Sequence, residues 1–179
     1  MAIPFLVETG EGIPNSNSYM TIQELKDFSD VFMRNYDPYL DEDIEKGLIQ
    51  ATLFLDSYFY GRFPGDRKEN QGLEWPRENA SYYDGEEIAD DVIPKELKHA
   101  LMEAFYIVKS GVDFQPAIAG NGILSAERVK VDVIEEEKKY NSSTFPKRTT
   151  YSVLEDAMSR VTGGMNNRRL KIERVGGYT

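Results

Sequence analysis

The chain has 179 residues, no cysteine and a formal net charge of −10, with 21 Lys and Arg against 31 Asp and Glu. Without thiols a disulfide scaffold is excluded, and no apolar run approaches the roughly 18 residues that a membrane span requires. The acidic balance argues against the broadly cationic surface that coats nucleic acid, while 40% hydrophobic residues suffice for one soluble domain with a packed core.

The opening stretch, residues 1–8, lacks the charged and apolar regions of a secretory signal, which predicts a product that stays in the cytoplasm. Thr21-Ile-Gln-Glu24 is a capping-box pattern and predicts a helix from 22 to about 34, with Leu25, Phe28 and Phe32 as its apolar stripe. Asp41, after Pro38, reads as the N-cap of a second helix. Its apolar residues Ile44, Leu48, Ala51, Leu55 and Tyr58 recur at helical spacing until Gly61. Pro94 opens a third helix carrying Leu97, Leu101, Ala104, Phe105 and Val108, which Gly111 stops. Between the last two lies 61–93, rich in Gly, Tyr, Asp and Pro and far longer than an ordinary connection, the kind of loop that carries function.

Downstream, Val129, Val131 and Val133 alternate with Arg128, Lys130 and Asp132, predicting a strand within 125–140 that needs a pairing partner. A short helix is expected over about 151–160, closed by Gly163-Gly164, and Leu170 to Val175 alternates again as a strand or extended arm. The fold class is therefore mainly α: a small helical bundle with a projecting β-strand or hairpin and an extended C-terminal arm. One domain spans 1–164, and 165–179 is the arm. Charge divides the same way: residues 1–140 hold 14 basic and 28 acidic side chains, whereas 141–179 hold 7 basic and 3 acidic ones. Arg168, Arg169, Lys171 and Arg174, interleaved with Leu170, Ile172 and Val175, form a candidate docking segment for an acidic neighbouring surface.

Catalytic signatures are missing. His99 is the single histidine, so zinc sites of the usual ligand sets cannot be assembled within one chain. Glu96-Leu-Lys-His99 occurs once where carboxylate-bridged di-iron bundles need the fragment twice, and His99 is expected on the solvated face between Glu96 and Glu103. There is no phosphate loop, dinucleotide fingerprint or nucleophile elbow, and the acidic clusters read as solvated faces. A non-enzymatic role without cofactor or metal is expected. Leu73-Glu-Trp75-Pro76-Arg77 places the only Trp before a Pro in a polar loop, and Trp75, Pro76 and Arg77 are read as an anchor holding one end of that loop on the helices. The alternative makes Trp75 and Arg77 interface hot spots.

Phe5-Leu-Val-Glu-Thr-Gly-Glu-Gly-Ile-Pro-Asn-Ser-Asn-Ser-Tyr19, Ala51-Thr52 with Leu55-Asp56, Leu73 to Arg77, Ile93-Pro-Lys-Glu-Leu-Lys98 and Ser125-Ala-Glu-Arg-Val129 occur in this order. The series resembles tailed-phage proteins often labelled "DnaT-like single-stranded DNA-binding", which look like head–tail adaptors. That resemblance implies a virion neck protein, assembled in the host cytoplasm as a ring of about twelve copies. Its partners would be the portal protein and the tail or tail-completion proteins, with double-stranded DNA passing transiently through the ring and no membrane involved. The alternative is a single-stranded DNA-binding replication accessory. Against it, the aromatic-rich region 54–83 sets Arg62, Arg67, Lys68 and Arg77 against Asp56, Asp66, Glu69, Glu74 and Glu78, which makes no basic groove.

Overall fold

The computed structural model describes residues 4–111 and 150–163, together with the backbone of two strands at 127–131 and 134–138. Four helices account for most of it: α1 (Ile22–Val31), α2 (Asp41–Phe59), α3 (Lys95–Lys109) and α4 (Ser152–Thr162). The fold is mainly α, with short antiparallel strand pairs: β1 (Asp66–Arg67) with β2 (Arg77–Glu78), and β3 (Glu127–Val131) with β4 (Ile134–Lys138). The helices form one compact unit, and the segment Asp113–Thr150 with β3 and β4 forms another.

Local chemistry sets the helix ends. The Thr21 hydroxyl accepts the Glu24 N–H at 3.1 Å and the Glu24 carboxylate accepts the Thr21 N–H at 2.8 Å, so the capping box closes in both directions. α1 stops at Val31, short of the expected 34. Met33 takes a φ of 53°, and the Met33 and Arg34 amides turn back onto the Asp30 and Ser29 carbonyls. Asp41 is the first helical residue of α2, while Leu40 occupies the cap position without a side-chain hydrogen bond. The Asp41 carboxylate instead pairs with Lys26 at 2.8 Å, a position where negative charge also suits the helix dipole. α4 ends on Gly163 at a φ of 79°, where a Cβ would press on the Tyr83 ring at 2.9 Å.

α3 is the centre of the helical unit, packing against α1, α2 and α4. Leu97, Leu101 and Phe105 from α3 meet Ile44, Leu48, Leu55 and Phe59 from α2, and Leu154, Met158 and Val161 from α4, all buried. Burying each such side chain contributes about 1.5–3 kcal/mol, so α4 is an integral wall of the core. Tyr151 donates its N–H to the Tyr58 hydroxyl, and Tyr83 donates its own to the Arg160 carbonyl, which ties both ends of α4 to earlier segments.

Within Asp113–Thr150 the strand expected within 125–140 is β3, and of the two forms expected, strand or hairpin, the structure has the hairpin. Val129 pairs with Glu136 and Val131 with Ile134, so the segment supplies its own partner strand. Val133, expected to continue the alternation, lies outside the described residues.

Candidate interaction surfaces

The segments singled out in the sequence converge on one knot. Tyr19 is fully buried after the N-terminal loop, and its hydroxyl donates to Asp56 of α2 at 2.6 Å. The same hydroxyl oxygen accepts the N–H groups of Glu74 and Trp75 at 3.0 and 3.2 Å, while the other Asp56 oxygen accepts the Glu74 N–H at 3.2 Å. Burial raises the Tyr19 hydroxyl well above its ordinary range, with the Asp56 charge adding to it, and pushes the Asp56 carboxyl up to about 7. A shallow depression lined by Asp56, Ser57, Tyr60 and Glu74 opens beside it.

Trp75 has no exposed surface and stands edge-on to Phe63, ring centres 6.1 Å apart. Pro76 is buried as well. Arg77 spans the loop, donating to the Pro64 and Gly65 carbonyls at 2.8 and 2.9 Å and to the Glu74 carboxylate at 2.9 Å. These three residues are therefore turned inward, and their geometry is that of a loop anchor rather than of a free contact surface. Upstream, the buried Glu8 carboxylate accepts the N–H groups of Gly10, Gly12 and Ile13, which folds the N-terminal loop around it. Gly10 is required there because a Cβ would lie 1.8 Å from the Asp91 carbonyl oxygen.

The rest of the long loop is clamped to α4. Arg160 donates to Asp84 at 3.0 Å and to Glu86, reaches Glu96 at 3.5 Å, and covers the Tyr82 ring at 3.9 Å. Arg62 makes a two-pronged pair with the buried Glu155 at 2.8 and 2.5 Å, and Arg34 reaches the buried Glu103 at 2.6 Å. The expected setting of His99 is corrected accordingly. Glu103 and Glu96 are engaged elsewhere, and His99 is half-buried, stacked on Phe32 at 4.2 Å between ring centres.

Residues 4–111 and 150–163 carry 11 basic and 24 acidic side chains, a net −13. Eight of those cations, Lys26, Arg34, Lys46, Arg62, Arg67, Arg77, Lys98 and Arg160, are in ion pairs with carboxylates of the same unit. Little positive charge is left over to meet a phosphate backbone. Among the described residues no group of three or more His, Asp or Glu side chains is arranged to hold a metal ion, and no helix is long and apolar enough to cross a membrane.

Exposed apolar side chains are scattered over the unit, Leu40, Leu53 and Tyr60 among them, but three consecutive ones, Val31, Phe32 and Met33, stand together at the end of α1. Sequence reasoning missed this patch because the same residues extend the apolar stripe of a longer helix. The candidate docking residues Arg168, Arg169, Leu170, Lys171, Ile172, Arg174 and Val175 lie outside the described residues, as do the side chains of Val129 and Val131.

A sequence family described as "Putative DnaT-like ssDNA binding protein" matches residues 3–175. The chain belongs to this family. Its match takes in the N-terminal loop, the Tyr19–Asp56–Trp75 knot, all four helices and the hairpin segment. No curated protein and no solved structure matches the chain. The DnaT-like description concerns single-stranded DNA and carries no mention of a virion.

Proposed function

We propose that this DnaT-like family member is a structural subunit of a phage neck, a head–tail adaptor whose copies form a ring between portal and tail. The observation that carries the reading is the electrostatics of residues 4–111 and 150–163: net −13, with eight of their 11 cations held by their own carboxylates. A surface of that sign repels phosphate and shortens the residence of DNA, which suits a conduit through which DNA slides and does not suit a coat that must grip it. Of the chain's ten other cations, four cluster in a short segment, Arg168 to Arg174, suited to engaging an acidic protein neighbour. Catalysis has no part in this role; the work is positioning.

A second reading, a single-stranded DNA-binding replication accessory, is favoured by the family description. It requires a basic groove with aromatic stacking platforms. Fluorescence anisotropy of a labelled oligonucleotide separates the two. The adaptor reading expects no binding by the full chain at micromolar protein and low salt, and particles from a phage lacking residues 165–179 that hold filled heads unjoined to tails. Salt-dependent binding at micromolar affinity, together with normal virion assembly by the truncated chain, reverses the assignment.

A further inference from the structure

Met33 is the most exposed large apolar side chain of the described residues, at 94%, and it sits in the left-handed backbone region at a φ of 53°. That position closes α1, and it is one where glycine fits without steric cost while a residue with a Cβ is strained. An unbranched, polarizable side chain is thus held in a conformation unfavourable to it and aimed into water. Val31, 76% exposed, adjoins it, and Phe32 forms the floor by stacking on His99 of α3 at 4.2 Å. Among the described residues neither burial nor backbone geometry explains Met33.

The rim specifies the occupant. Asp27, Asp30 and Asp37 are exposed around the end of α1, and none has an ion-pair partner among the described residues. The complement of this patch is a short apolar segment with interleaved cations. The chain contains one: Arg168-Arg-Leu-Lys-Ile-Glu-Arg-Val175, in which Leu170, Ile172 and Val175 alternate with basic residues. Every copy therefore carries both halves of a head-to-tail contact, the kind of interface that closes into a ring. We infer that the Val31–Phe32–Met33 surface of one copy receives residues 168–175 of a second copy. The inference rests on the self-assembly in the reading above, and is independent of where the ring is used.

The test compares the full-length wild-type chain with Met33→Gly, using a fluorescein-labelled peptide of residues 165–179 and sedimentation velocity over a range of loading concentrations. Met33→Gly relieves the left-handed strain, so it should unfold at the same or a higher temperature than wild type while binding the peptide at least about tenfold more weakly and assembling less. Asp30→Lys with Asp37→Lys should also lose the peptide, and a peptide carrying Arg168→Glu and Arg169→Glu should recover binding to that variant. Equal peptide binding by wild type and Met33→Gly, or none by wild type, overturns the inference. Failure of the patch and failure of the ring are distinguishable. If wild type and Met33→Gly assemble alike, only the patch falls, whereas a wild type that stays monomeric at every loading removes the ring too. Concentration-independent blocking of the peptide by the chain's own arm overturns the second copy as occupant.

Discussion

Asp56 receives two hydrogen bonds and makes no ion pair among the described residues, so its half-buried carboxyl is held up to about 7 by desolvation. An unfolded Asp titrates near ~3.9. Between those values the native state keeps a proton that the unfolded chain releases, so the Asp56 contribution to stability falls as pH rises from about 4 to 7 and then levels off. Urea unfolding of wild type and Asp56→Asn across pH 4–8 isolates this term: the stability difference, wild type minus variant, should drop by up to roughly 4 kcal/mol over that window. A difference that stays flat would remove the buried-proton account. Asp56 was legible in the sequence only as the end of a helix motif. Its partner Tyr19 is 37 residues away, and spacing patterns cannot report a contact closed by the tertiary fold. The same holds for Arg34 with Glu103 and Arg62 with Glu155, separated by 69 and 93 residues. Trp75 was readable because a Trp in a polar loop must hide its surface somewhere.

At the scale of elements, α2 and α3 approach closely at Gly47. A Cβ on Gly47 would stand 2.6 Å from Phe105 and 2.8 Å from Lys109. Phe105 is fully buried, so its ring has no space into which to retreat. Gly47→Ala sets a helix-propensity gain of up to about 1 kcal/mol against overpacking of about 1–3 kcal/mol, and the clash should win. The expected result is a net loss of about 1–2 kcal/mol in denaturant unfolding; a stabilised variant would mean that the helices separate freely at this crossing. The existence of all four helices was legible because apolar periodicity and caps are local signals. Their ends were less so. α1 ends at Val31 because the chain turns at Met33 without the glycine that normally marks such a turn. The strand at 125–140 was found from its valines and a hairpin was among the expectations, yet the residues of the second strand were not legible because Ile134 to Lys138 is mostly charged and shows no apolar alternation.

For the whole molecule, α4 supplies a wall of the core although it lies beyond the hairpin segment in the chain, and Arg160 locks the long loop from the same late position. During translation the apolar face of α3 must therefore wait for about 40 further residues, from Gly111 to Ser152, before its cover is made, which at about 5–20 residues per second is on the order of 2–8 s. The core cannot close while α4 is still inside the ribosome, so α1 to α3 emerge without their final wall. Nascent chains stalled at residue 145 should be cut by protease within α3, and full-length released chains should be protected there. Equal protection in both would show that α1 to α3 hold together without α4. A core that closes late also leaves the apolar face of α3 open to chaperones and proteases for the whole of that interval.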